Sequence, residues 1–502
     1  MTNLQANSNV HRWIPKSQIP LLVVVSLMAL INSAVLGFDA SMIGGILNLP
    51  SYNEYFELTT ATIGLNGASM WMGEILCVLT IMQWSTDKLG RKISILIGTV
   101  ITIIGIAIQS GAQNIAMFVV GRIILGFGAA LGNTAAPTLI AEISPAKYRG
   151  ILVGGYFTCF QVGALVASGV TYASRNALGT WSWRIPSIVQ GVPSIASLIL
   201  LFFCPESPHW LIMNNREEEA IEILCIVENV DAVGAKAIAR KIAILGQQLM
   251  NSSANVWKTL LVRRENWCRL FILVTQSFLN EFGGSSISNY YSLFLDQAGV
   301  TDYTQKLQVG IVMSAWSVVL AAFGAYAFDV IGRKKLALIS LCGMIICNFV
   351  IGGMIKAFEG TENHSGSYAT IFFFFMFNGF YAFTFTPLSC LYSAELFPYS
   401  TRVAGQTFYK FWNEGLGLAA QFVSPFGLDN LGWKFFMVIA GYSVIFVPII
   451  YYVWVETKGV PIEEVEKLFQ RPKAVDAEAS DPESVAEIEK ELVVVGGISE
   501  CK

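Results

Sequence analysis

Twelve apolar runs follow one another in this chain, near 19–43, 63–84, 93–111, 116–138, 151–171 and 187–204, then near 270–294, 307–328, 336–356, 369–391, 404–424 and 434–455. A helix needs about 20 such residues to cross a bilayer. In hydrocarbon, backbone N–H and C=O groups must find partners within their own segment, so runs of this length are read as helices. The expected fold class is an all-α membrane protein with twelve transmembrane helices. Composition agrees, with 54% of the 502 residues hydrophobic and 13% charged. That is too little charge to cover a water-exposed surface of this size. The first run follows His11, Arg12 and Lys16 and is too long for a signal-peptide core, so it reads as a retained helix.

The runs divide into two sets of six because two landmarks occur twice in the same order. Asp87-Lys88-Leu89-Gly90-Arg91-Lys92 is echoed by Asp329-Val330-Ile331-Gly332-Arg333-Lys334. The stretch Glu142 to Arg149 is echoed by Glu395 to Arg402, both with the spacing Glu-x-x-Pro-x-x-x-Arg. Taken singly, each basic loop could be no more than an anchor for its flanking helices. Taken as a pair of repeats, they indicate a duplicated six-helix unit, which is the architecture of secondary transporters.

Basic residues fall unevenly between alternate loops. One side holds Lys88, Arg91, Lys92, Lys147, Arg149, Arg333, Lys334, Lys335 and Arg402, and the positive-inside rule places that side, with both termini, in the cytoplasm. Asn363-His364-Ser365 is then a glycosylation sequon in an external loop. The polar interval 205–268 carries two amphipathic patterns, Arg216 to Val227 and Ala232 to Leu249, expected to lie at the inner membrane face. The tail after Arg471 is acidic and poor in aromatics, which predicts disorder. The expected organisation is a segment 1–18, a bundle 19–204, a linker 205–268, a second bundle 269–456 and a tail 457–502. A net charge of −3 suggests no nucleic-acid partner. Nine scattered cysteines and three histidines show no metal-ligand spacing and no disulfide framework. No cofactor is implied, and no nucleophile–base pair points to an enzyme.

Ionisable groups inside spanning helices cost on the order of 2.5–3.5 kcal/mol each on insertion scales, so they are functional-site candidates. The set is Asp39, Glu74, Arg122, Glu281, Lys410 and Glu414. A carboxylate that alternates between facing an arginine and being cut off from it changes its proton affinity. Asp39 with Arg122 is therefore either a proton carrier with its partner or a static pair that fixes helix register. Lys410 and Glu414, four residues apart, share a helix face and can neutralise one another. Glu281 opens a polar, small-residue patch, Glu281-Phe282-Gly283-Gly284-Ser285-Ser286, preceded by Asn280 and followed by Asn289, Tyr290 and Tyr291. Such a patch suits a broken helix at a solute site, or alternatively close helix packing. Gln161 and Asn413 are lone amides that could bind solute or bridge helices. The glycine series Gly121, Gly126, Gly128 and Gly132 has no strand before it and reads as helix packing rather than a nucleotide loop.

These motifs, with Gly121-Arg122, Pro205-Glu206-Ser207-Pro208-His209-Trp210-Leu211, Tyr290-Tyr291 and Val455-Glu456-Thr457-Lys458-Gly459, make the chain similar to sugar porters of the major facilitator superfamily. The resemblance extends from about Ile19 to Glu464 and is nearest to fungal hexose and lactose permease-like members. It implies two pseudo-symmetric six-helix bundles rocking about a central solute site. It further implies that Asp39 couples protons with Arg122 as partner, and that Gln161 binds sugar. Asp87, Arg91, Glu142, Arg149, Asp329, Arg333, Glu395 and Arg402 would form a cytoplasmic lock. The sequence departs from the family where Asn280-Glu281 replaces a glutamine pair, Ser286 an asparagine, Cys390 a tryptophan, Gln83 a glycine and His209 an arginine.

The reading that results is a multi-pass transporter, expected in the plasma membrane, moving a sugar or sugar-like solute by proton symport. Gln161, Asn280, Glu281, Tyr290 and Asn413 are the expected solute-binding residues, and protons and the lipid bilayer are the other partners. The alternatives are a transporter of a non-sugar metabolite on the same fold and, with less to support it, a transport-dead nutrient sensor.

Overall fold

A computed structural model describes residues 13–253, 256–262, 264–300, 302–358, 364–397, 401–458 and 469. The first six apolar runs form α1 (Gln18–Ile46), α2 (Thr60–Thr80), α3 (Arg91–Ser110), α4 (Ile115–Ile143), α5 (Ala146–Ser174) and α6 (Trp181–Phe202). The second six form α7 (Arg264–Asn280), α8 (Tyr303–Ile331), α9 (Arg333–Phe358), α10 (His364–Glu395), α11 (Arg402–Leu431) and α12 (Trp433–Val453). Three starts, those of α2, α4 and α8, are marked by side-chain acceptors for the unpaired N–H groups of the first turn. Asn114 Oδ1 accepts from Met117 N at 2.8 Å, and Asp302 Oδ1 from Thr304 N at 3.1 Å. Within the spans, hydroxyls are returned to their own helix, as where Thr99 Oγ1 donates to Ile95 O at 2.8 Å and Thr102 Oγ1 to Gly98 O at 2.9 Å.

Among the described residues ten helices are long and apolar enough to cross a membrane. The two that fall short are α7 and α11. α7 leaves α geometry at Glu281–Ser285, which form a π turn. α11 contains Lys410, Glu414 and Asp429. The weakest spans by composition are thus the ones that bring ionisable groups inside.

The helix neighbours show the duplication directly. In the first half α3 packs on α4 and α6, α2 on α4, and α1 on α5; in the second half α9 packs on α10 and α12, α8 on α10, and α7 on α11. Across the halves, α2 meets α11 and α5 meets α8. Small residues of α4 and α2 are contact points: a Cβ on Gly126 of α4 would lie 2.2 Å from Met70 O, and one on Gly73 of α2 would lie 2.0 Å from Ile123 O. That interlock is the packing function expected of the glycine series.

The repeated basic loops fold alike. Gly90 and Gly332 take φ of 98° and 104°, a region open to glycine, and turn the chain into α3 and α9. Arg91 Nη1 donates to Thr86 O at 3.2 Å and Arg333 Nη1 to Phe328 O at 3.0 Å, five residues back in both cases.

The described residues between 205 and 262 are largely helical. Glu217–Glu228 and Ala232–Ser253 match the two amphipathic patterns. Their apolar faces are turned on protein rather than lipid: Ile223, Leu224, Val227, Ala235 and Ala239 are buried in one cluster with Ile14, Leu21 and Leu22. Gln18 Nε2 donates to Val227 O at 2.6 Å. Asn363 and nearly all of the acidic tail lie outside the described residues.

Candidate functional site

Between the halves lies a cavity of about 250 Å³, lined from α1, α2, α4, α5, α7, α8, α10 and α11. Behind its first-half wall, Arg122 grips Asp39 with two parallel bonds, Nη1 to Oδ1 at 3.0 Å and Nη2 to Oδ2 at 3.1 Å. Both are buried, yet only Arg122 of the two lines the cavity. Arg122 Nε also donates to Ser69 Oγ at 3.0 Å and Asn66 O at 3.2 Å, while Gln190 Nε2 of α6 donates to Asp39 Oδ1 at 2.9 Å. Four helices thus hold one ion pair. Bidentate geometry and added donors are what a buried pair needs to offset its desolvation.

The opposite wall is built on the π turn of α7. Asn280, at the end of α7, and Glu281, at the start of the turn, both line the cavity, and Gly284 passes so close to Tyr381 that a Cβ there would lie 2.0 Å from the ring. Asn280 Nδ2 donates to Glu281 Oε1 at 2.7 Å and to Asn413 Oδ1 at 3.2 Å. Tyr381 OH donates to Asn280 Oδ1 at 3.1 Å and Tyr409 OH to Asn413 Oδ1 at 3.2 Å. Lys410 Nζ meets Glu414 Oε1 at 3.3 Å. Gln161 lines the cavity from α5.

Of the residues expected to bind solute, Gln161, Asn280, Glu281 and Asn413 therefore line one cavity. Tyr290 does not. Its hydroxyl donates to Gln421 O at 2.8 Å and presses on Gly67, so it wedges the chain beyond the π turn against α11 and α2. The break after the π turn sends its neighbour Tyr291 to the cavity instead.

The cavity is crossed by contacts at the end away from the basic loops. Asn48 Nδ2 donates to Tyr291 OH at 3.2 Å, Ser292 Oγ donates to Asn48 Oδ1 at 2.5 Å, and Thr60 Oγ1 donates to Asp429 Oδ2 at 3.0 Å. Its lining continues toward the basic-loop end through Asn133, Tyr156, Ser389 and Lys410.

At the basic-loop end Arg91 Nη2 pairs with Glu142 Oε1 at 3.0 Å, and Arg333 pairs with Glu395 through Nη2 at 2.7 Å and Nε at 3.1 Å. Each pair lies within one half. Asp87 is exposed, its carbonyl accepting from Trp210 Nε1 at 2.9 Å. The side chains of Arg149, Asp329 and Arg402 lie outside the described residues. Sequence reasoning left a layer of this cluster unread. Ser207 Oγ donates to Glu142 Oε2, and Thr457 Oγ1 donates to Glu395 Oε2 at 2.6 Å. Glu206 accepts from Arg91 N at 2.9 Å and Lys92 N at 3.1 Å, as Glu456 does from Arg333 N at 2.7 Å and Lys334 N at 3.1 Å. The signal was present: a glutamate followed by a hydroxyl residue closes each half of the sequence. Gln190 carries a similar signal, as a lone amide in an apolar run.

Two pseudo-symmetric six-helix bundles around a polar cavity define a secondary transporter of the major facilitator superfamily. The sequence profile of the family described as "Sugar (and other) transporter" matches residues 25–469. The chain belongs to that family and is a transporter, not an enzyme. It is 29% identical over 470 residues to a quinate permease of Neurospora africana, covering 87% of this chain and 86% of that protein. It is 27% identical over 469 residues to a high-affinity glucose transporter of Kluyveromyces lactis, covering 89% and 85%. Among solved structures, the proton:xylose symporter XylE bound to 6-bromo-6-deoxy-D-glucose superposes with a TM-score of 0.74 at 21% identity, covering 90% of this chain and 99% of that one. An inward-open conformation of XylE from E. coli gives 0.72 at 22%, covering 89% and 100%.

Proposed function

We propose that the protein carries a sugar or similarly hydroxylated solute across the plasma membrane by alternating access, in symport with protons. The observation that carries this reading is the Asp39–Arg122 pair, held behind the cavity wall with only Arg122 facing the cavity. Protonation of Asp39 removes the charge that holds Arg122, which frees its guanidinium to turn toward solute oxygens. Solute and proton are then linked through one arginine. The amide and hydroxyl groups of Gln161, Asn280, Asn413 and Tyr381 offer both donors and acceptors, as a polyol requires. The basic loops are assigned to the cytoplasm, and the described contacts at the far end correspond to one of the two states that alternation needs. The relatives' named cargoes, glucose and quinate, are both polyhydroxylated rings.

A second reading keeps the fold and changes the cargo to a non-sugar metabolite. It is favoured by Glu281 and Glu414 standing in the wall of α7 and α11. Purified protein in liposomes, offered labelled D-glucose or quinate with and without an inward proton gradient, tests both readings. Accumulation of glucose that collapses with the gradient supports sugar symport. Uptake indifferent to the gradient removes the coupling, and uptake of quinate alone moves the cargo away from sugars.

A further inference from the structure

The cavity holds a pair of carboxyl groups, one on each half, whose joint role neither reading uses. Glu74 of α2 and Glu414 of α11 line the cavity at one level, across the junction of the two halves. The helices are pressed together at that level, since a Cβ on Gly417 would lie 2.4 Å from the Trp71 ring and one on Gly415 3.6 Å from Ile75. Both side chains are buried, with 8% and 3% of the residue exposed. Glu414 Oε1 takes the Lys410 ammonium at 3.3 Å, while Oε2, also buried, has no donor among the described hydrogen bonds. The other charged or titratable groups facing the pair are Glu281, the Asp39–Arg122 ion pair behind the wall, and Cys77 one turn along α2.

Two carboxylates at so tight and dry a junction cannot both carry charge, because their repulsion is unscreened. One proton between them removes the repulsion and supplies a donor to the second oxygen. We propose that Glu74 and Glu414 hold one shared proton as a clamp between the two halves, a proton site separate from Asp39. Glu74 donates its O–H to Glu414, whose remaining negative charge is balanced by Lys410. Each partner belongs to a different half, so rocking of the halves that separates α2 from α11 breaks the bond and returns each carboxyl to an independent proton affinity. Only that last step rests on alternating access; the shared proton does not.

The test is difference infrared spectroscopy of the purified protein in phosphatidylcholine vesicles, following the C=O stretch of protonated carboxyls through a pH titration. The expected result is a band at neutral pH, sensitive to deuterium oxide, lost in both Glu74→Gln and Glu414→Gln and retained in Glu281→Gln. In Lys410→Met the band persists to higher pH, because the balancing charge is gone. A band unchanged in both single variants, or lost only in Glu281→Gln, overturns the proposal. Variants are compared at matched thermal midpoints, and Glu74→Asp, which keeps the acid, is expected to keep the band. Loss of gradient-driven uptake in wild-type liposomes would remove the Asp39 coupling while leaving this band in place, so the two readings fail separately.

Discussion

Glu206 holds the first turn of the helix that Arg91 begins: its carboxylate accepts from Arg91 N at 2.9 Å and reaches Lys92 N as well. The helix start, the Arg91–Glu142 pair and the end of the first half are tied into one knot, and Glu456 ties the same knot in the second half. A carboxylate at a helix N-terminus satisfies orphan N–H groups and meets the positive end of the dipole.

Glu206→Ala leaves those N–H groups without their acceptor and should cost about 1–2 kcal/mol of stability, read as a lower thermal midpoint in detergent. Burial raises the pKa of Glu206 above its ordinary 4.5, its bonds from the Ser207, Lys92 and Arg91 N–H groups only partly opposing this. The folded state therefore holds this proton more tightly than the unfolded chain. Its contribution is fully present below the ordinary value and is lost as pH rises through the raised one. The midpoint should rise as pH falls toward 4.5 in this window, and Glu206→Gln should flatten that part of the profile.

Asp39→Asn removes the charge that Arg122 and Gln190 address while keeping the shape. Accumulation against a gradient should fall to the equilibrium level, with solute exchange at equal pH retained. Retained uphill accumulation would assign coupling elsewhere. Gln190→Leu, which removes one donor of several, should shift the pH profile of uptake without abolishing it.

Gly126 admits no side chain, because Met70 O lies only 2.2 Å from where its Cβ would be. Gly126→Leu must separate α2 from α4, and overpacking of this kind costs about 1–3 kcal/mol or more. The expected outcome is loss of the monodisperse peak in size-exclusion chromatography of detergent-solubilised protein.

Asn48 bridges α1 to Tyr291 and Ser292 at the end away from the basic loops. Asn48→Ala should shift the halves apart at that end. With Ser41→Cys placed in the cavity wall, labelling by an impermeant thiol reagent from that side should rise several-fold. Unchanged labelling would show that Asn48 does not help close this end.

The helices and their duplication were legible in the sequence because both are local: apolar run length and motif spacing need no partner. The cavity was legible where a polar residue interrupts lipid-grade sequence, as with Gln161, Asn280, Glu281 and Asn413. Tyr290 and Tyr291 could not be told apart, since their directions depend on one extra residue in the turn before them. The nearness of Glu74 to Glu414 was equally hidden, because it is a product of how α2 crosses α11. The amphipathic pattern of the linker helices says only that a face is covered, not by what, and the partners Ile14, Leu21 and Leu22 are set by the tertiary fold.

The π turn of α7 carries a mechanical consequence. A π turn stores one residue more than an α turn, and each helical residue amounts to about 100° of rotation and 1.5 Å of rise. Were Glu281–Ser285 to tighten into α geometry, everything beyond would turn by that step, carrying Tyr291 off Asn48. A solute tugging on Glu281 and a latch at the far rim would then answer to a single slipped stitch in the backbone.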